Sequence, residues 1–440
     1  MGIELFLNPV VVSVILLCVL CLCKVNVLLS IIIASIVAGI MSGFGVSEIM
    51  QVFISGMGAN SETALSYILL GAFAAAMVHT GLATILSKKI AGVINGKAVL
   101  LIIILTMLAL LSQNLVPVHI AFIPIIVPPL LSVMNKLKID RRAVACALAF
   151  GLKMPYIAIP AGFGLIFQGL IAENLTLNGV VVSTAKVWHY TWFLGLGMFV
   201  AFLVAILISY RKEREYKDIF VVENSMQLQD EEALKLNKNH YITLVGAFAT
   251  LFVQLWTKSL PLGALVGLGI IFGGGAVSHK KMDKLINEGI GLMGYVAFVM
   301  LVAAGFALVL KETGGVESLV QSILPFVEGN KFLAALLMLI VGLFVTIGIG
   351  TSFGTIPILA VLFVPVCSQL GFSLGATIVL VAAAAALGDA GSPASDTTLG
   401  PTAGLNADGQ HNHIWDTCVP TFLHYNLALI IFALIAVVVF

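Results

Sequence analysis

The sequence predicts an all-α polytopic membrane protein built from two inverted-topology repeats with discontinuous helices and re-entrant hairpins. Three observations predict it. Of 440 residues, 60% are hydrophobic and only 10% are charged, and the mean hydropathy is +1.12, whereas a soluble domain carries roughly a quarter charged residues. The apolar residues fall in runs of about twenty, the length that spans a bilayer. Finally, the two halves repeat at a constant offset of 233 positions, with an odd number of crossing elements in each.

The elements follow in order. The first run, 8–23, is preceded by Glu4 and no Lys or Arg, and a second, 25–41, follows Lys24 directly. This pattern fits a retained helix better than a cleaved leader. Runs at 64–86, 98–116, 118–134, 143–172 and 188–210 complete a first repeat, 1–210. The stretch 211–240 holds six Lys or Arg and seven Asp or Glu, and reads as a soluble cytoplasmic linker. The second repeat, 241–440, has runs at 241–257, 260–277, 290–310, 332–349, 353–370, 374–399 and 417–440. Polar tips near 117–120 and 350–356 predict re-entrant turns. The six cysteines (Cys18, Cys21, Cys23, Cys146, Cys367 and Cys418) lie in or beside apolar runs, which argues against a disulfide framework. A net charge of +1 gives no reason to expect nucleic acid.

The offset is specific. Gly56 and Gly58 map to Gly289 and Gly291, Thr80-Gly81 to Thr313-Gly314, Pro124 to Pro357, and Pro160 to Pro393. Seven crossings per half invert the second copy relative to the first, and charge supports one orientation through the positive-inside rule. With both termini outside, 17 of the 22 Lys and Arg fall inside: those at 24, 88, 89, 97, 136, 138, 141 and 142, those of 211–238, and those at 280, 281 and 284. Lys186, Lys258, Lys311 and Lys331 fall outside, and Lys153 lies within a span. Inverted repeats place a transporter's site near the midplane, at the repeat interface.

Under the same offset "GLKMPYIAIPAGFG", 151–164, aligns with "AALGDAGSPASDT", 384–397, so Tyr156 opposes Asp389 and Phe163 opposes Asp396. Pro155, Pro160 and Pro393 remove helix donors, and Gly388 and Gly391 loosen the remainder. A straight helix over 143–172 would measure about 45 Å, too long for a core of about 30 Å. Both stretches therefore predict helices unwound in mid-membrane, where irregular backbone survives only beside a cavity or buried in protein.

A lone Asp at membrane depth costs about 2.5–3.5 kcal/mol on insertion scales, so Asp389 and Asp396 call for a partner or a purpose. With Ser392, Ser395, Thr397 and Thr398 they form an oxygen-rich set suited to Na⁺. Burial also brings carboxylate protonation toward physiological pH, and competition between Na⁺ and a proton is the simplest antiport chemistry. Capping of half-helix N-termini is the bland alternative. Lys153 either pairs with an Asp or snorkels toward Arg142. Thr351, Ser352 and Thr355 sit in a glycine-rich tip and His119 opposes Ser352, as a second wall or as plain helix contacts. Farther on, His411, His413, Asp416 and Cys418 have the composition of a metal site but no compact zinc spacing. That segment reads as a cytoplasmic loop entering the last helix.

The stretch "GDAGSPASDTTLGPTAGLNADGQHNHIWDTCVPTFLHYN", 388–426, resembles the NhaC-type sodium/proton antiporter family within the ion transporter superfamily. The duplicated halves are also similar to that superfamily, so the resemblance covers nearly the whole chain. It implies discontinuous helices, homodimers and an elevator-like movement of a transport domain against a scaffold. It places ion binding on Asp389, Ser392, Asp396 and Thr397. The cofactor expectation is none, with Na⁺ and/or H⁺ as coupling ions. Members of the subgroup are also associated with amino acids, histidine in particular. Two functions are therefore expected of a multi-pass cell-membrane protein. One is sodium/proton antiport. The other is Na⁺- or H⁺-coupled amino acid transport, with His119, Asn406 and Tyr156 accepting a zwitterion. An intramembrane aspartyl protease also uses two aspartates, but here both lie in one segment, and no enzyme is expected.

Overall fold

The computed structural model describes residues 7–23, 25–82, 85, 97–114, 123–161, 163–217, 236–257, 259–315, 318 and 330–440, and every statement below concerns these. His119, the tip near 117–120 and linker positions 218–235 fall outside them.

The described residues form helices. The first half comprises α1 (Pro9–Leu22), α2 (Val27–Met41), α3 (Val46–Met57), α4 (Ser61–His79), α5 (Ala98–Asn114), α6 (Ile123–Lys136), α7 (Arg141–Ala158), α8 (Phe163–Leu177) and α9 (Thr184–Val204). The second comprises α10 (Lys238–Thr257), α11 (Leu260–Gly273), α12 (Met282–Glu312), α13 (Lys331–Ile349), α14 (Ser352–Gln369), α15 (Leu374–Ala386) and α16 (Asp396–Leu405). Two π-helical turns, His413–Cys418 and Phe422–Asn426, then lead into α17 (Leu427–Val439).

Thr184–Ser209, Met293–Glu312, Lys331–Ile349 and His413–Val439 are each long and apolar enough to cross a bilayer. Two bent pairs pass the same test as single spans: α7 with α8, bent by 47°, and the two parts of α14, bent by 46° near position 361. Helix α3 lies outside the apolar runs read from sequence because it is amphipathic. It buries Ile49, Phe53 and Gly56 at helical spacing and leaves the rest largely exposed.

The offset of 233 persists in the structure. Helices α2, α5, α7 and α8 begin at 27, 98, 141 and 163, and α11, α13, α15 and α16 begin at 260, 331, 374 and 396. The left-handed residues that end helices keep the register too: Gly81 (φ 80°) with Gly314 (φ 62°), and Lys138 (φ 49°) with Gly371 (φ 65°). So do close contacts. A Cβ on Gly56 would lie 2.9 Å from the Ala304 carbonyl oxygen, and one on Gly289 would lie 2.2 Å from the Ala72 nitrogen. Position 56 therefore meets 304 and 305 as position 289 meets 71 and 72. Small residues let α3, α4 and α12 cross at backbone contact, the usual device where lipid supplies no hydrophobic drive between helices.

A large apolar core joins most of the helices, and a smaller one joins the second half of α4 to α11. Deepest is α15, where every residue from Gly375 to Ala386 is buried. Its alanines admit close neighbours: a Cβ on Gly342 of α13 would lie 2.4 Å from that of Ala384. Helix α7 is nearly as enclosed. Each of these two buried helices ends in an unwound stretch.

Candidate functional site

Helix α7 is capped by Asp140, whose side chain accepts from the Arg142 N–H, and it stops at Ile159 in an extended conformation. Helix α15 stops at Leu387, also extended, and α16 starts at Asp396, capped by the Ser395 hydroxyl. Between them Gly388 adopts φ 83°, and a Cβ there would lie 2.8 Å from the Ile347 nitrogen, so both conformation and space demand glycine. Asn426 secures the unwound strand by accepting from the Gly388 N–H (3.2 Å) and donating to the Ala390 carbonyl (2.9 Å).

The two breaks meet at Asp389, which is buried. Its Oδ2 accepts from the Tyr156 hydroxyl at 2.9 Å, from Ser352 at 3.1 Å and from Thr397 at 3.2 Å. Its Oδ1 accepts from Ser395. The Lys153 ammonium, fully buried, lies 3.7 Å from Oδ2 and donates to the Ala386 carbonyl at the end of α15. Cations are favoured at helix C-termini, so the half-helix end and the carboxylate hold Lys153 together. Both contacts join positions one offset apart: Lys153 to Ala386 and Tyr156 to Asp389.

Asp396 is half-buried, and its Oδ1 lies 3.5 Å from Ser395 Oγ and 3.4 Å from Thr397 Oγ1. Each hydroxyl owns one proton. Both hydroxyls stand between the two carboxylates, and each can donate to only one of them at a time. Tyr156 packs on Phe167 (centroids 5.0 Å) and Phe353 (5.3 Å), with Phe163 6.1 Å from Phe353, so an aromatic wall adjoins the carboxylate.

The structure thus brings Asp389, Asp396, Ser395, Thr397, Ser352, Tyr156 and Lys153 together, and Lys153 pairs instead of snorkelling. Other expected contacts are not formed. Asn406 is exposed at the C-terminal end of α16, about 15 Å along the helix from Asp396, and its side chain accepts from the His411 N–H. The Ser392 hydroxyl donates to the Ile347 carbonyl and Thr398 to that of Ser392, so both hold the broken backbone. Thr351 is exposed before α14, and its carbonyl accepts from Thr355. Asn426 escaped the sequence reading, although a polar residue among apolar ones at membrane depth is itself a signal.

A second polar cluster ties the start of α7 to the segment after α16. Arg141, fully buried, donates to both oxygens of Asp408 at 2.6 and 2.5 Å and to the Leu405 carbonyl at 2.9 Å. The linker begins here. Arg214 donates to Asp416 at 2.7 Å, and the Tyr216 ring lies 4.3 Å from the Arg141 guanidinium carbon. Burial opposes ionisation of Asp408, but the bonds and charge of Arg141 outweigh it and hold the carboxyl below its ordinary value of 3.8. A lowered carboxyl contributes stability in full above that value and loses it as pH falls through the lowered one. Asp408→Asn should therefore melt at a lower temperature at neutral pH and lose less on acidification than the unmodified protein. An equal acid-side decline in both would refute this.

A profile of the Na⁺/H⁺ antiporter family matches residues 147–437, and a second, of the Na⁺-H⁺ antiporter family, matches 8–94. The chain is 48% identical to an uncharacterized membrane protein of Vibrio parahaemolyticus, covering 98% of this chain and 100% of the other. It is 45% identical, over 98% and 100%, to YuiF of Bacillus subtilis, provisionally named an amino acid transporter. Two solved transporters show a distant likeness. Neisseria gonorrhoeae MtrF, of a class of antimetabolite efflux pumps, aligns at 12% identity over 89% of this chain and 84% of that one, with a TM-score of 0.37. Alcanivorax borkumensis YdaH, of unusual topology, aligns at 11% over 90% and 88%, with a TM-score of 0.41. The protein is a multi-pass membrane protein that belongs to the Na⁺/H⁺ antiporter family.

Proposed function

We propose that this protein is a secondary transporter that exchanges Na⁺ for H⁺ at Asp389 and Asp396, with Lys153 as a tethered countercharge. The observation that carries the reading is a buried carboxylate ringed by four hydroxyls and an ammonium where two broken helices meet. With Lys153 charged and both aspartates ionised, the site has one net negative charge, which one Na⁺ or one proton neutralises. Na⁺ at Asp389 takes the place of the ammonium, so occupancy by the ion and closure of the ion pair exclude each other. The reading keeps the two halves inverted about an axis through the Tyr156–Asp389 contact, the N-terminus outside and the 211–240 linker in the cytoplasm. It also treats the protein as a homodimer.

A second reading is Na⁺-coupled amino acid uptake through the same ion site. The provisional naming of YuiF favours it, as does the aromatic wall of Tyr156, Phe163, Phe167 and Phe353, which suits a planar or apolar substrate side chain. Reconstitution in liposomes separates the two. Added Na⁺ should drive protons out with no amino acid present. Na⁺-stimulated uptake of labelled histidine or another amino acid, without proton efflux, would favour the second reading over the first.

A further inference from the structure

Tyr67 of α4 is 4% exposed, and its hydroxyl has no hydrogen-bond partner in the protein. A buried hydroxyl left unbonded is destabilising, and phenylalanine would fill the same space without that cost. The neighbouring Ser66 shows the ordinary solution, because its hydroxyl donates to the Glu62 carbonyl one turn back, at 2.7 Å.

The fold gives the unbonded hydroxyl a setting. Helix α4 packs along α12, where a Cβ on Gly71 would lie 2.5 Å from the Gly289 carbonyl oxygen. It also packs against α6, and both α6 and α12 touch α16. A Cβ on Gly404 of α16 would lie 2.9 Å from that of Val127 of α6. Along α4 the packing partner changes. Ala64 and Tyr67 join the large core that holds Ala394 and Leu399, on either side of Asp396, whereas Leu69 and Leu70 join the smaller one. The charge that acts on Tyr67 is that of Asp396. Phenol and carboxylate therefore lie within electrostatic reach with no hydrogen bond between them.

We propose that Tyr67 Oη is an oxygen ligand of the transported Na⁺, which makes α4 a third element of the site beside the two broken helices. The inference rests on the exchange reading above and adds a binding residue outside both breaks. Hard cations take several oxygen ligands. The second break supplies Asp389, Ser395, Asp396 and Thr397 from one short segment, and Tyr67 adds an oxygen from a separate helix. A phenolic oxygen carries two lone pairs and one proton, so it can bind a cation and donate to a carboxylate at the same time. A cation beside Asp396 satisfies the hydroxyl that the protein leaves unbonded. That accounts for tyrosine at a buried position where phenylalanine would pack equally well.

The test uses the full chain. Tyr67→Phe removes one oxygen and keeps the ring. In choline its melting temperature should equal or exceed that of the unmodified protein, because the lost hydroxyl had no bond. Two Na⁺ midpoints should each rise about tenfold, that of the gain in melting temperature and that of Na⁺-driven proton efflux in liposomes. Efflux at saturating Na⁺ should stay close to normal. Ser66→Ala removes the adjacent hydroxyl, which bonds within its own helix, and should leave both midpoints where they were. Unchanged midpoints in Tyr67→Phe would overturn the assignment and leave the exchange reading standing. An equal rise in Ser66→Ala would mark a general effect on α4 and overturn it too. So would a lower melting temperature of Tyr67→Phe in choline, since the hydroxyl would then be bonded within the protein. If the unmodified protein showed neither Na⁺ response, the exchange reading would fall together with the inference.

Discussion

Asp389→Asn and Asp396→Asn should each abolish Na⁺-driven proton efflux in liposomes while the protein still inserts, and the two should differ in stability. In Asp389→Asn the new amide would retain hydrogen-bonding capacity toward the surrounding hydroxyls, but it would strand the fully buried Lys153 without a carboxylate. Breaking one partner of a buried ion pair costs about 3–5 kcal/mol, so this variant should also melt well below the unmodified protein. Asp396 is half-buried in the first turn of α16. Its charge is worth about 0.3–1 kcal/mol to the helix, so Asp396→Asn should melt almost normally. Transport is lost in both because the site's net charge changes by one, leaving no negative charge for Na⁺ to neutralise. The measurements are internal pH on addition of Na⁺ and melting of purified protein. Full exchange in either variant would show that the carboxylate in question is not part of the site.

Part of this geometry was legible because positions 233 apart in the sequence meet at the site. Tyr156 and Asp389 oppose each other at the offset and touch in the structure. The breaks were legible for a local reason: Pro160, Gly388 and Gly391 fall in the unwound stretches, where proline and glycine interrupt a helix, whereas Pro155 lies inside α7, which runs on to Ala158. What the offset does not encode is which side chain crosses from one element to another. Lys153 could reach Asp389 or water from the same backbone position, and only the closed packing of α7 decides between them. Asn406 resembled a site residue by nearness in sequence, but the ten-residue helix that begins at Asp396 carries it away. The linker's first residues read as a tether because charge runs usually are one, yet Arg214 and Tyr216 are held by the ends of other helices. Asn426 and Arg141 contact partners 38 and 267 positions away, and no periodicity in sequence announces such pairs.

Lys153→Met should convert the protein into one that depends on Na⁺ for its stability. In the unmodified chain the ammonium already compensates Asp389, so Na⁺ gains only the difference between itself and Lys153. Without the ammonium, the buried carboxylate keeps its four hydroxyl donors but has no opposing charge beside it. An uncompensated buried charge costs about 3–5 kcal/mol, and a bound Na⁺ recovers part of that. The gain in melting temperature on replacing choline with Na⁺ should therefore be larger in Lys153→Met than in the unmodified protein, although its baseline is lower. Exchange should slow, because the vacated carboxylate no longer has a tethered cation to close on between ions. Arg141→Met is the control. It also removes a buried cation from a carboxylate, but at the Asp408 cluster and away from the four hydroxyls, so it should lower the melting temperature in choline and Na⁺ alike. Equal Na⁺ gains in the unmodified, Lys153→Met and Arg141→Met proteins would mean that Lys153 serves only to cap the Ala386 end of α15 and that Na⁺ binds elsewhere. A selective gain in Lys153→Met would identify the ammonium and the ion as rivals for one carboxylate.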